Sequence, residues 1–246
     1  MLKFNKVMNE DHKMSLTFGV IGSGYIFQKH KQAIERIGGK IINIYDPILT
    51  NLQRPEDLFV YEFDWLVICS PSFTHYNYLK MGLKYDKNII CEKPAWLPYQ
   101  PPIDDNRINI VLQYRYLENL PQETVKIKMV RNEKYLNSDK GNFKITGGIW
   151  YNLFIHGLDL ALELNVDFEG MISTEGKQVR SIGNFDLNSI DMDNLYWEMY
   201  KKIIFENKGI KPQDVMFLHW WLEHHSNIYG YGKEMLNKRI YLSKHF

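Results

Sequence analysis

The chain is 246 residues long and 45% hydrophobic, with 30 basic and 29 acidic side chains for a net charge of +1. That near balance argues against nucleic acid or an anionic membrane surface as the main partner, and the length suits one large domain or two small ones. Two cysteines, Cys69 and Cys91, fall inside apolar runs at no spacing that suits a zinc site or a disulfide framework, and are expected to be buried thiols.

In chain order, a polar leader over 1–14 lacks the apolar core of a signal peptide, and no later window approaches the length of a membrane span. A soluble, cytoplasmic protein with no membrane partner is expected. Leu16 to Ile21 reads as a buried strand, Gly22-Ser23-Gly24 as a turn, and the residues beyond that turn as a helix running to about Ile37 and closed by Gly38-Gly39. Lys40 to Tyr45 is a second strand ending on Asp46-Pro47. The segment from Ile48 to Phe63 holds Pro55 and is short, so it is expected to be a compressed crossover with one strand at Leu58 to Tyr61. Trp65 to Ser70, Thr74 to Leu83 and Lys87 to Cys91 then read as strand, helix and strand. Alternation of this kind predicts an α/β fold built on a doubly wound parallel sheet.

Four prolines between Pro94 and Pro102 forbid a regular helix and predict an extended connector, after which Ile108 to Tyr114 returns as a strand. Past Arg115 the pattern changes. Thr124 to Arg131, Phe168 to Thr174 and Gln178 to Asn184 read as antiparallel strands joined by Gly, Asn and Asp turns. Helices are expected from about Ile149 to Leu164, from Met192 to Asn207 and from Pro212 to about His225. The predicted division is a dinucleotide-binding domain over 1–116 and a smaller α+β domain over 117–246, built on an open, mostly antiparallel sheet.

The chemistry concentrates where these strands end. A strand followed by Gly22-x-Gly24 and a helix lets backbone N–H groups approach a pyrophosphate, although Phe27 stands where the usual fingerprint has its third glycine. Asp46, at the end of the second strand, suits ribose hydroxyls and would repel a 2′-phosphate, which favours NAD over NADP. Glu92-Lys93 ends a buried strand, and Pro94 restricts Lys93 to extended conformations, so the lysine is aimed at a ligand in the crevice. In the helix from Ile149, the residues Asn152, His156, Asp159 and Glu163 share one stripe, and Gly147-Gly148 ahead of it permits close backbone approach. A histidine one turn inside such a helix can accept a proton near neutral pH. His219, His224 and His225 tempt a metal reading, but no cysteine or paired carboxylate completes a set, and no metal is expected.

Gly-x-Gly-Tyr-Ile from Gly22, Cys-Ser-Pro-x-x-x-His at 69–75, Cys-Glu-Lys-Pro at 91–94 and Gly-Gly-x-x-x-Asn-x-x-x-His-x-x-Asp at 147–159 together resemble the Gfo/Idh/MocA oxidoreductase family. With Val111-Leu112-Gln113-x-Arg115 and Asn152 four residues before His156, the likeness is strongest to its UDP-N-acetylglucosaminuronate 3-dehydrogenases of surface-polysaccharide biosynthesis. It covers residues 15–164 well and the remainder thinly. The resemblance implies a Rossmann domain holding NAD and a second domain closing over a sugar or nucleotide sugar, in a homo-oligomer, dimer or tetramer. It places Gly22, Gly24, Tyr25 and Ile26 along the dinucleotide, Asp46 on the adenosine ribose, and Ser70, Pro71 and His75 further along the cofactor. Glu92 and Lys93 would lie at the nicotinamide ribose and Gln113 at the ring. Lys93 would hold the reacting hydroxyl, His156 would accept its proton, and Asn152, Arg115 and Asp159 would bind the sugar. The chain is shorter than the family pattern, which loosens the expectation of a UDP handle and leaves open another sugar, a cyclitol or a uronate. From a different class, a cofactor-sensing regulator without turnover would keep the same pocket.

Overall fold

The computed structural model describes residues 16–118, 126–176, 178–229 and 239–242. The predicted leader over 1–14 lies outside them. In the first half, β1 (Thr17–Ile21), α1 (Phe27–Arg36), β2 (Lys40–Tyr45), β3 (Trp65–Ile68), α2 (Ser72–Lys84), β4 (Asn88–Glu92) and β5 (Ile108–Val111) alternate as the apolar runs require. The strands form one parallel sheet in the order β2-β1-β3-β4-β5. Parallel strands covered on both faces need near-continuous apolar sequence, and Leu66, Val67, Ile68, Ile89, Ile90 and Cys91 are all fully buried. Cys69 and Cys91 are buried, unpaired thiols.

The strand expected at Leu58 to Tyr61 is not there: Pro55–Val60 forms a 3-10 helix, opened by Pro55 and tied by Asp57 to the Arg54 amide. Leu58 faces the core as a strand residue would, which is why its pattern misleads. Without that strand β2 is the sheet edge, and a cleft of about 540 Å³ runs beside it, lined by Ile42, Ile44, Leu49, Leu52 and Tyr61 among others. The strand expected over Ile108 to Tyr114 stops at Val111, and Gln113–Tyr116 turns in a 3-10 helix that carries three buried side chains.

The second sheet contains β6 (Lys126–Asn132), then, after α3 (Phe143–Thr146) and α4 (Ile155–Leu164), β7 (Asp167–Ser173), β8 (Val179–Ile182) and β9 (Phe185–Asp186). After α5 (Met192–Phe205) and α6 (Pro212–Tyr229), β10 (Arg239–Leu242) completes the order β10-β7-β6-β8-β9. The sheet is mixed. β6 and β7 run parallel, where the sequence suggested antiparallel neighbours, because α4 is the crossover that parallel pairing needs. The other pairings are antiparallel. No helix among the described residues is long and apolar enough to cross a membrane.

Two helices from late in the chain return to the first sheet. α5, capped by the Asp191 carboxylate on the Asp193 and Asn194 amides, lies on α1 through Lys29 to Asp193 at 2.8 Å and Arg36 over the Trp197 ring at 4.1 Å. α6 reaches the connector after Pro94, where His219 stacks on Trp96 at 4.6 Å between ring centroids. His224 stacks on Trp220 and His225 on Trp221, so the histidines that invited a metal reading lie against aromatic rings. Burial takes His219 down to about 3.

Candidate active site

All five strands of the first sheet are parallel, so their carboxyl ends share one edge, and that edge carries Gly22, Asp46, Ser70, Glu92-Lys93 and Gln113. Gly22 has φ +94° and donates to the Tyr45 carbonyl at 2.8 Å. A Cβ there would stand 2.6 Å from the Ser70 nitrogen and 2.8 Å from the Cys69 carbonyl carbon. The turn is therefore pressed onto the end of β3, and only glycine fits both the backbone and the gap. Gly22→Ala is expected to lower stability by at least about 2 kcal/mol and to weaken NAD binding with it, measured by thermal melts and by cofactor titration.

Above Gly24 a Cβ would meet nothing within 4 Å, and Tyr25 is 85% exposed. Among the described residues, none accepts a hydrogen bond from the amides of Gly24, Tyr25 or Ile26, at the first turn of α1. Open space beside unpartnered helix-start amides is what a pyrophosphate requires. Asp46 is already engaged: Oδ2 accepts from the Ser23 amide and hydroxyl at 2.9 and 2.8 Å, and Oδ1 from the Ile48 and Leu49 amides at 3.0 and 3.2 Å. Burial pulls its carboxyl upward, but these hydrogen bonds outweigh it and keep the pKa below the ordinary value.

His75, which the resemblance placed along the cofactor, has both ring nitrogens engaged by the protein itself. It is fully enclosed, with Nδ1 2.7 Å from the Pro94 carbonyl and Nε2 2.7 Å from the Ser70 carbonyl. Its ring thus braces the loop after β3 against the residue next to Lys93 and leaves no polar atom for a cofactor. Ser70 turns its hydroxyl to Thr74 at 2.7 Å, and Pro71 opens α2.

Lys93 is partly buried, and its Nζ donates to the Asn152 backbone carbonyl at 2.7 Å and to Asn152 Oδ1 at 2.8 Å. Two of its three donors are used. Asn152 lies in a π-helical turn, Trp150–Phe154, in which Ile155 N bonds the Trp150 carbonyl five residues back, and that turn runs straight into α4. The sequence placed the helix correctly; the wide turn at its start was not visible in its periodicity. His156 sits one turn beyond Asn152 with its ring 5.5 Å from Tyr114, edge to face. Burial, and then the Lys93 charge, hold its pKa well below 6.5, so the imidazole is neutral at physiological pH. Burial also brings Lys93 down to about 8 against the opposing pull of Glu92.

The stripe of Asn152, His156, Asp159 and Glu163 divides into two functions. Its first half meets Lys93. Its second half binds Arg115, whose Nε and Nη2 lie 3.0 and 2.5 Å from Asp159 Oδ1 and whose Nη1 is 3.1 Å from Glu163. Burial raises the Asp159 carboxyl to about 6 against the pull of Arg115, which leaves the pair ionised at neutral pH. Arg115 and Asp159, both assigned to the sugar by resemblance, thus spend their strongest groups on each other.

Glu92 faces inward, beneath the edge. Its Oε1 accepts from the Tyr196 hydroxyl at 2.6 Å and lies 3.2 Å from His30 Nε2, while His30 Nδ1 is 2.8 Å from the Tyr200 hydroxyl. Sequence reading missed this cluster. His30 shares the buried α1 face with Phe27 and Ile34 at helical spacing, which was a usable signal; Tyr196 and Tyr200 come from α5, and nothing local links them to Glu92.

Three buried side-chain polar atoms lack a partner among the described residues: Gln113 Oε1, His156 Nδ1 and Trp221 Nε1. Each such atom costs about 1–3 kcal/mol when left unpaired. Two of the three belong to residues expected at the nicotinamide and at the reacting hydroxyl. The residues present therefore fit a dinucleotide laid from the Gly24 amides past Ser70 toward Gln113.

A parallel sheet with a glycine turn, an acid after β2 and the orphaned Gln113 oxygen just past β5 has the features of an NAD-binding Rossmann fold. Residues 16–101 match the family model described as "Oxidoreductase family, NAD-binding Rossmann fold". The chain is similar to this family over that span, which takes in strands β1 to β4 of the first sheet. Among curated relatives, it is 24% identical to glucose-6-phosphate 3-dehydrogenase of Bacillus subtilis across 81% of this chain and 69% of that one. Among solved structures it shares the fold of the WlbA (WbpB) dehydrogenase of Thermus thermophilus in complex with NAD and UDP-GlcNAcA, at TM-score 0.59 and 22% identity, covering 85% of this chain and 94% of that one. It likewise shares the fold of a myo-inositol dehydrogenase from Corynebacterium glutamicum, at TM-score 0.60 and 13% identity, covering 94% and 99%.

Proposed function

We propose that this dehydrogenase oxidises a secondary hydroxyl, at C3, of a sugar or nucleotide-linked sugar such as UDP-N-acetylglucosaminuronate, in surface-polysaccharide biosynthesis. The observation that carries the reading is the meeting of Lys93, from the end of β4, with Asn152 one turn before His156. Bound NAD supplies the hydride acceptor. The Lys93 ammonium, with its remaining donor, holds the substrate oxygen and stabilises the alkoxide that develops there, and the unpartnered His156 Nδ1 accepts the proton. Asn152 fixes the lysine through its backbone carbonyl and Oδ1, while its side-chain nitrogen donates to the Lys140 carbonyl at 2.9 Å. The same reading makes the protein a cytoplasmic homo-oligomer, checked by light scattering and cell fractionation. Cofactor reduction during incubation with UDP-N-acetylglucosaminuronate, UDP-N-acetylglucosamine, free uronates, hexose phosphates and inositol tests it; no reduction with any of them favours the cofactor-sensing regulator.

The pH profile separates two assignments of the proton. If His156 accepts it and Lys93 must stay charged, kcat/KM is flat through neutrality and falls as pH rises past about 8, where Lys93 loses its proton. A second reading has the Lys93 amine as base, because a pKa near 8 is better matched to neutral pH than that of His156. It requires kcat/KM to climb through the same region to a plateau.

A further inference from the structure

We propose that Arg131 and Arg180 form a subsite for an oxyanion carried by the substrate, a carboxylate or a phosphate; this rests on the dehydrogenase reading above. In the antiparallel register of β6 and β8, Arg180 lies opposite Met129, and alternation along β6 puts Arg131 on the same face as Met129. That face is the one α4 covers: a Cβ on Gly157 of α4 would stand 2.9 Å from the Met129 sulfur. Both guanidinium groups are partly buried, and among the described residues neither has a carboxylate partner. Arg131 Nη1 donates to Gln178 Oε1 at 3.1 Å, and Arg180 donates through Nε to Asn188 Oδ1 at 2.8 Å and through Nη1 to the Tyr114 hydroxyl at 3.1 Å. Burial and the neighbouring Arg180 charge hold the Arg131 guanidinium below its ordinary pKa. Folded chains rarely leave two neighbouring, half-buried cations with neutral partners alone.

Each arginine is also one side chain from the candidate chemistry. Arg180 bonds Tyr114, whose ring lies edge to face with His156. The Arg131 charge acts on the Tyr135 phenol, which Asn152, the residue that holds Lys93, also influences. The exposed Lys140 adds a further positive charge toward Lys93. Glu92, the acid whose field reaches Lys93 and His156, is committed to His30 and Tyr196. The second sheet therefore presents a cation one side chain from His156, through Tyr114. A guanidinium pair suits a carboxylate or phosphate in bidentate geometry.

Steady-state kinetics would compare a free hexuronate, a hexose 6-phosphate, a UDP-hexose and the neutral hexose in wild type, Arg131→Gln and Arg180→Gln. The wild type is expected to prefer one anionic substrate over the neutral hexose by ~10–100-fold in kcat/KM, the range of one or two charge-assisted hydrogen bonds. Which one it prefers identifies the anion as ring carboxylate, C6 phosphate or diphosphate. The Gln variants should raise KM for that substrate ~10–100-fold with a much smaller change in kcat, and Arg180→Lys should restore part of the loss. Thermal melts check folding, and Arg131→Lys stands in if a Gln variant does not fold. Equal use of neutral and anionic sugars, or an equal KM rise for both, overturns the subsite. If no sugar is turned over, the dehydrogenase reading fails on its own, and calorimetry with glucuronate and with inorganic phosphate on the NAD-saturated protein still decides. Anion binding weakened about tenfold by the Gln variants supports the subsite; binding that is absent, or unchanged in them, overturns it.

Discussion

Replacing Lys93 or His156 by alanine is expected to lower turnover by ~10²–10⁴-fold, the usual worth of a positioned acid or base. NAD affinity should stay close to wild type, because the glycine turn, Asp46 and Gln113, which the proposed function sets along the dinucleotide, are untouched. The two losses differ in their consequences for folding. Lys93→Ala leaves the Asn152 carbonyl and Oδ1 without the donor they now have at 2.7 and 2.8 Å, so it should also lower the melting temperature. His156→Ala removes a nitrogen that is already unpartnered, and its loss of packing against Tyr114 is offset in part by the relief of that orphan. An inactive yet nearly wild-type melt for His156→Ala is the pattern of a side chain retained for chemistry. Full turnover in both variants would remove Lys93 and His156 from the mechanism.

Glu92→Gln should produce the largest loss of stability of any single change near the site, about 2–4 kcal/mol, or roughly 5–15 °C in melting temperature for a chain of this size. Glu92 is 7% exposed. Burial alone would raise its pKa, but His30, Lys93 and Tyr196 bring it down from 4.5 to about 2. A depressed folded-state pKa contributes stability that is fully present above the unfolded value and is lost as pH falls through the folded one. The gap in melting temperature between wild type and Glu92→Gln is therefore expected to be wide at pH 6 and to close between pH 4.5 and about 2. A gap that stays constant into acid would mean that the carboxylate charge contributes nothing and that only shape matters. The same substitution removes a charge that supports the Lys93 proton, so the alkaline limb of the pH profile should move to lower pH. Tyr196 and His30 thereby act on Lys93 only through Glu92, as positioning residues.

How much of this was legible in the chain differs by region. The parallel sheet was readable because strands buried on both faces are written as local apolar runs, and their ends were marked by Gly22, Asp46, Ser70 and Glu92-Lys93 within a few residues. The second sheet was harder. Its strands carry mixed patterns, and whether β6 and β7 lie parallel depends on where α4 carries the chain, which no window on either strand contains. The 3-10 helix at Pro55–Val60 shows the same limit on a smaller scale, since one buried Leu58 satisfies a strand pattern and a helical turn equally.

What the amino-acid sequence determined alone is the cofactor half: a glycine turn, an acid on the next strand and a stiffened Glu-Lys-Pro at a strand end are local features, fixed by backbone geometry over a few residues. Tertiary structure alone decided which polar groups are still available for a ligand. It closed Arg115 on Asp159, turned His75 to two carbonyls and Glu92 to α5, while it left Gln113 Oε1 and His156 Nδ1 unpartnered and set Arg131 beside Arg180. The reason is physical. A side chain's chemistry is a property of its residue type, but whether its hydrogen bonds and charge are already satisfied depends on partners that come from as few as 5 to as many as 170 positions away.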